Sequence, residues 1–204
     1  MFTGIVTAIG EVVEAERKGP SLKRLAIACP YEAEGIAIGA SIACAGVCLT
    51  VTALRERADG QPGCVFQVEA AAETLAKTTV ANWEAGTRIN LERSLKLGDE
   101  LGGHLVSGHV DGLATIVSRE DYSETTKFVF EAPHALARFV ATKGSVALDG
   151  VSLTVNGVEG DRFDCLLIPH TLKVTNWGGR KAGDKVNIEV DTIARYVARI
   201  AGAG

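Results

Sequence analysis

The sequence predicts an all-β chain: two tandem, duplicated antiparallel barrels followed by a short C-terminal helix. Three observations carry this. First, Gly46-Val47-Cys48-Leu49-Thr50-Val51 returns as Gly150-Val151-Ser152-Leu153-Thr154-Val155, five residues of six identical, at an offset of 104. The same offset carries Phe2-Thr3-Gly4-Ile5-Val6 onto Val106-Ser107-Gly108-His109-Val110, and Ser41-Ile42-Ala43 onto Ser145-Val146-Ala147. Separate blocks at one offset are the mark of an internal duplication. Second, short runs rich in Val, Ile and Thr alternate with Gly-rich turns, a pattern that closes into barrels rather than layered α/β folds. Third, helical periodicity enters only after Asp191, where Ile193, Tyr196, Val197 and Ile200 recur at i, i+3, i+4 and i+7.

Taken in order, residues 2–16 form a strand pair or one long bent strand, with Gly4 and Gly10 as bends. Lys18-Gly19-Pro20-Ser21 is a turn. Residues 22–28 are a strand ended by Pro30, and 31–38 an irregular bridge. Residues 41–54 make a long central strand and 64–70 another. Residues 73–81 are a short helix, and 87–91 the closing strand. Further matches, Glu73-Thr74-Leu75 with His170-Thr171-Leu172 and Gly86, Asn90 and Glu92 with Gly183, Asn187 and Glu189, fall at an offset of 97. The first copy therefore carries seven extra residues, placed by composition in a lengthened hairpin turn between Arg55 and Gly63. A Gly-rich joint spans 94–103. The second copy repeats the plan with strands at 106–117, 126–131, 145–155, 163–167 and 186–190, and a helix at 133–142 with Pro133 in its first turn. Asp191 or Thr192 caps the final helix. The domains are 1–100, 101–191 and a 192–204 tail.

Composition narrows the function classes. The chain has 204 residues, 47% hydrophobic, with a net charge of −4 and no basic run, so nucleic acid is not an expected partner. No apolar run reaches the length of a membrane span. The N-terminus shows no charged leader and apolar core of a secretory signal. Five cysteines without a CxxC pair indicate reduced thiols and a cytoplasmic setting. No dinucleotide or phosphate-loop motif is present. Cys44, Cys48, His104 and His109 match no zinc spacing, so no metal is expected.

The repeated strand is the chemical candidate. Alternation puts Ser152 and Thr154 on one face and Val151, Leu153 and Val155 on the other, with Cys48 and Thr50 in the corresponding places of the first copy. A half-buried strand with its polar face to solvent is the plain reading. The chemical one is a paired site for a polyol or polar ring, bound through backbone and hydroxyls, since aromatic residues make up only 5% of the chain. The copies differ where His109 faces Ile5, Lys143 faces Gly39 and Asp149 faces Ala45. Similar pockets with unequal polar groups suit a two-substrate enzyme, with His109 as a proton shuttle.

The opening Met1-Phe2-Thr3-Gly4-Ile5-Val6 and Gly102-Gly103-His104-Leu105-Val106-Ser107-Gly108-His109-Val110 carry a family resemblance. So do the twin Leu-Thr-Val strands, Leu167-Ile168-Pro169-His170-Thr171-Leu172 and Asn187-Ile188-Glu189-Val190-Asp191. Together they resemble riboflavin synthase of the alpha-chain type, over essentially the whole chain. The resemblance implies six-stranded Greek-key, lumazine-binding barrels and a homotrimer joined by the C-terminal helix. It implies dismutation of two 6,7-dimethyl-8-ribityllumazine molecules into riboflavin and 5-amino-6-ribitylaminouracil without cofactor, and lumazine synthase as a partner. It implies an active site between the first barrel of one subunit and the second barrel of a neighbour. By position it places Gly4, Ile5, Val6, Cys48, Leu49, Thr50, Glu69, Ala70, Ala71, Ala72, Glu73 and Thr74 around one lumazine. Around the other it places Gly108, His109, Val110, Lys143, Ser152, Leu153, Thr154, Leu167, Ile168, Pro169, His170, Thr171 and Leu172. Phe2, Ser41, Cys48, His109 and Asp191 fall at positions implicated in turnover. The chain departs from the family at Ala45, often Asn, and at His170, often Glu; each bears on one polar contact to a ligand. A non-catalytic lumazine or flavin carrier is the rival class, and polar groups kept in both copies speak against it.

Overall fold

A computed structural model describes residues 1–202, so the last two residues of the 192–204 tail lie outside it. The first copy contains β1 (Ala8–Arg17), β2 (Leu22–Cys29), β3 (Ser41–Cys44), β4 (Val47–Glu56), β5 (Cys64–Ala71), α1 (Ala72–Lys77) and β6 (Arg88–Arg93). The second contains β7 (Gly112–Asp121), β8 (Thr126–Glu131), α2 (His134–Ala137), β9 (Ser145–Leu148), β10 (Val151–Glu159), β11 (Arg162–Leu167), α3 (Pro169–Val174) and β12 (Lys185–Val190). The chain continues into α4 (Thr192–Ile200). Each copy closes into a six-stranded antiparallel barrel, in the orders β1-β2-β5-β4-β3-β6 and β10-β11-β8-β7-β12-β9, which are the same order under the repeat. Register shifts recur at twin places, Val12/Glu14 with Ile116/Ser118 and Val51/Ala53 with Val155/Gly157. Such bulges bend strands sharply enough to close a small barrel. Among the described residues no helix is long and apolar enough to cross a membrane.

Several sequence expectations are corrected. The long strands expected at 41–54 and 145–155 are each two strands, joined by two-residue turns. Ala45-Gly46 and Asp149-Gly150 all have positive φ, the geometry of a tight hairpin. Residues 2–7 and 106–111 are arms ahead of β1 and β7 rather than parts of those strands. The 133–142 helix shrinks to the single turn of α2, with Pro133 as its N-cap, and 73–81 divides into α1 and a 3-10 turn at Thr79–Asn82. The second copy repeats that pair as α3 and Asn176–Gly179, which periodicity alone did not reveal. The offset also slips to 103 in β8, where Phe128 and Phe130 take the interior places of Leu25 and Ile27. The β7–β8 hairpin is one residue shorter than its twin: Asp121 pairs with Thr126, whereas Arg17 pairs with Lys23. The lengthened turn stands where composition put it, at residues 57–63 between β4 and β5.

Each barrel has its own core. The first is mostly aliphatic, around Leu25, Ile27, Val51, Phe66, Ile89 and Leu91. The second is aromatic, with Phe128 and Phe130 edge-on to Trp177 at 5.2 and 5.6 Å. Between them lies a small third cluster of Phe2, Ala43, Val106 and Ala147. Its members are twins meeting about a local two-fold. Phe2 and Val106 pair with each other, N–H to O at 2.7 and 3.1 Å in the two directions. The hairpin turns also meet there: a β-carbon on Gly46 would come within 2.8 Å of the Gly150 nitrogen, and one on Gly150 within 2.6 Å of the Gly46 nitrogen.

That contact yields a stability prediction. Gly46→Ala combines an unfavourable positive φ with a backbone clash, whereas Gly39→Ala has the same φ problem in open space, and Lys143 already tolerates the twin position. Gly39→Ala should cost about 1 kcal/mol and Gly46→Ala about 3 kcal/mol or more, read from urea midpoints of both variants. Equal losses would mean that the barrels do not meet at this turn.

Candidate active site

The arms decide how the candidate residues are grouped. Each arm is rooted on its own barrel by a buried glutamate. Glu92 accepts from Thr3 N–H at 2.6 Å, Thr3 O–H at 2.8 Å and Gly4 N–H at 2.9 Å. Glu189 accepts from Ser107 N–H at 2.6 Å and Gly108 N–H at 2.9 Å. Burial pushes both carboxyls above their ordinary range, and these donors pull them back. Each tip then crosses to the other barrel. Ser152 N–H donates to Gly4 O and Cys48 N–H to Gly108 O, both at 2.8 Å. A β-carbon on Gly4 would lie 2.6 Å from Ser152 Cβ, and one on Gly108 2.6 Å from Cys48 Cβ. Val6 packs on the second core and Val110 on the first.

The arms are therefore exchanged between barrels: Gly4, Ile5 and Val6 run beside the strand of Ser152, Leu153 and Thr154, and Gly108, His109 and Val110 beside that of Cys48, Leu49 and Thr50. The first half-site combines the β4 face with the 108–110 arm, and adds Ser41, which pairs across to Thr50. In each barrel the β5–α1 or β11–α3 corner, residues 69–74 or 167–172, follows a strand paired directly to the repeated one.

Side-chain faces sort these residues further. As alternation predicts, Val151, Leu153 and Val155 are buried, Ser152 is half-buried and Thr154 exposed, with Cys48 and Thr50 matching. Leu49, Ala70 and Leu167 point into the cores, so they offer only backbone to a ligand. Ile5, His109, Ala71, Ala72, Glu73, Ile168, Pro169 and His170 are exposed. Glu69 is held by Arg24 through hydrogen bonds of 3.0 and 2.9 Å. Lys143 extends into solvent, 3.5 Å from Asn156 Oδ1.

Three further candidate residues are buried. Phe2 is fully buried between the barrels, its ring against Gly108 and the Cys48 cluster. Asp149 is also fully buried; its carboxylate accepts from Asn187 N–H at 2.9 Å and pairs with Arg180, both of its own barrel, and so braces the turn whose carbonyl accepts from Asn90 Nδ2. Ala45 occupies a buried turn and gives its carbonyl to Asn187 Nδ2 at 2.8 Å, which places the departure there in turn geometry. Cys44 and Cys48 sit on different strands, with Cys44 buried in the first core.

The residue that sequence reasoning passed over is His104, considered above only as a metal ligand. Its Nδ1 lies 2.7 Å from Ser152 Oγ. Burial pushes the imidazole below its ordinary value, and the Asp191 carboxylate opposes the shift. Asp191 itself caps α4, its Oδ1 accepting from Ile193 N–H at 2.8 Å. Asn90 and Asn187 were visible as aligned twins, but their task was not. Each bridges barrels: Asn90 donates to Asp149 O and accepts from Asn176 N–H, while Asn187 donates to Ala45 O and accepts from Thr79 N–H.

Two barrels with crossed arms and paired polar strand faces define a class, duplicated lumazine-binding barrels. A family model described as the lumazine binding domain matches residues 3–94 and again 107–191. The riboflavin synthase of Brucella abortus (strain 2308) is 59% identical over 203 residues, 98% of each chain. That of Bacillus subtilis (strain 168) is 37% identical, covering 98% of this chain and 89% of its own. The chain belongs to the riboflavin synthase family. The fold is also that of LumP complexed with riboflavin, with a TM-score of 0.82 at 23% identity over 93% of this chain and 99% of that one.

The two tasks assigned to Asp191, capping and turnover, can be separated. Asp191→Ala should remove about 1 kcal/mol from α4, whereas Asp191→Asn should keep the cap. Circular dichroism should show helix loss in the first variant only; equal loss in both would show that the carboxylate charge, not the cap, holds the helix.

Proposed function

We propose that this chain catalyses the riboflavin synthase reaction: two molecules of 6,7-dimethyl-8-ribityllumazine exchange a four-carbon unit, giving riboflavin and 5-amino-6-ribitylaminouracil. The observation that carries the reading is the pair of half-sites, alike in backbone and unlike in side chains. Two identical molecules with opposite roles need that kind of frame. One must become the carbanion at its C7 methyl and the other the electrophile. Holding them together turns a bimolecular encounter into an intramolecular step. His109 or a hydroxyl relay through Ser41 and Thr50 takes the methyl proton in the first half-site, and backbone N–H groups stabilise charge spread into the ring.

In a single chain both polar faces are open, with Thr50, His109 and Thr154 exposed. The α4 stripe is open too: Ile193, Tyr196, Val197 and Ile200 are 59–85% exposed. An apolar stripe of this kind gains from burial in an assembly. We therefore read the working form as a homotrimer, with the first half-site of one subunit closed by the second half-site of a neighbour. The setting is cytoplasmic, with no metal or cofactor required and lumazine synthase as a partner.

The test follows lumazine loss and riboflavin gain together by absorbance. Two lumazines should disappear per riboflavin formed, unaffected by chelator or exclusion of oxygen, and solvent deuterium should enter the C7 methyl. A one-to-one ratio or a need for added reductant would reject dismutation, and tight binding without turnover would make the protein a carrier. For the assembly, deleting residues 192–204 should weaken the trimer while leaving the barrels folded. A truncated protein sedimenting as an unchanged trimer at low micromolar concentration would place α4 elsewhere.

A further inference from the structure

The two half-sites share one backbone plan, so a polar contact present in only one of them divides their labour. Ser152 has such a contact and its twin does not. Gly4 and Gly103 pack against the Ser152 β-carbon so closely that a β-carbon on either would lie 2.6 or 2.9 Å away. His104 closes another side, Nδ1 to Oγ at 2.7 Å. The backbone that carries the imidazole is itself seated: the His104 backbone N–H donates to Thr3 O at 3.1 Å, and a β-carbon on Gly103 would fall 2.0 Å from that oxygen. Cys48, the twin of Ser152, has the Gly108 backbone beside it, and among the described residues no side chain hydrogen-bonds its thiol.

We propose that His104 is a positioning residue for the second half-site, fixing the direction in which the Ser152 hydroxyl meets a bound lumazine. A serine hydroxyl has one proton and two acceptor positions and rotates freely unless held. Nδ1 engages the proton in one imidazole tautomer and a lone pair in the other. In either case the imidazole fixes one of the three hydrogen-bonding positions on Oγ, and the two left over face away from it, available to a pyrimidine edge or a ribityl hydroxyl. The first half-site instead presents an unanchored thiol, a weaker and more adaptable partner. The second half-site is thus the one that holds its molecule in a set orientation, while the first leaves its molecule more freedom to adjust. This rests on the riboflavin-forming reading above.

A double-mutant cycle tests it, using the full-length wild type, His104→Ala, Ser152→Ala, the double variant and the rescue variant His104→Asn. The asparagine Oδ1 and Nδ2 provide an acceptor and a donor near the place of Nδ1. Each alanine variant should lose about tenfold in kcat/KM, and the double variant no more than about tenfold in all, because one interaction is removed in every case. His104→Asn should return to within about threefold of wild type while His104→Ala does not. A hundredfold loss in the double variant, or an asparagine variant as poor as the alanine one, would overturn the assignment. Thermal melts identify a variant that fails to fold; if His104→Ala does so, the cycle is run with His104→Asn and Ser152→Ala, and a failed rescue still counts against the proposal. If the wild type binds the lumazine without making riboflavin, the functional reading fails. The same cycle measured on lumazine Kd then decides the His104 assignment by itself.

Discussion

Two reciprocal backbone hydrogen bonds, Ser152 N–H to Gly4 O and Cys48 N–H to Gly108 O, are the contacts on which the rest of the molecule depends. They form where a β-carbon would strike the neighbouring strand, so the arms must be glycine at that point. Each arm is pulled taut between a buried glutamate of its own barrel and the repeated strand of the other. The consequence is that neither barrel owns a half-site. A change that loosens one arm disturbs the polar strand of the opposite barrel. The interface and the candidate active site are therefore one structure.

The frame is symmetric and its contents are not. Asn90 and Asn187, Glu92 and Glu189, and Phe2 and Val106 repeat their contacts about the local two-fold. Within that frame, His109 stands against Ile5 and Ser152 against Cys48. The Asp149–Arg180 pair occupies the place of Ala45 and Trp83. Burying that ion pair carries a desolvation cost, which its hydrogen bonds to Asn187 and Asn176 offset. Burial pushes the Asp149 carboxyl up, and the Arg180 guanidinium works against it. A duplicated scaffold thus holds two polar environments without two different backbones, which suits a reaction between two copies of one molecule.

What the sequence determined was everything that depends on local pattern and on comparison of the chain with itself. The constant offset identified the duplication and located the long turn. Period-two alternation assigned Val151, Leu153 and Val155 to the core and Ser152 and Thr154 to the other face. The 3.6-residue stripe and its acidic cap located α4. Only the tertiary structure decided partnerships. Alternation says which side of a strand faces inward, but not which barrel covers its other side. The crossing of the arms, the exchange of Gly4 with Gly108 between barrels, the burial of Phe2 and Asp149 and the meeting of His104 with Ser152 were therefore invisible in the chain. All of them depend on residues far apart in sequence, and the arm crossings run through backbone contacts that carry no side-chain signature. The two-residue hairpins escaped for a related reason. A tight turn with only Ala45-Gly46 at its tip leaves the apolar run unbroken, and closing it depends on the opposing turn of the other barrel.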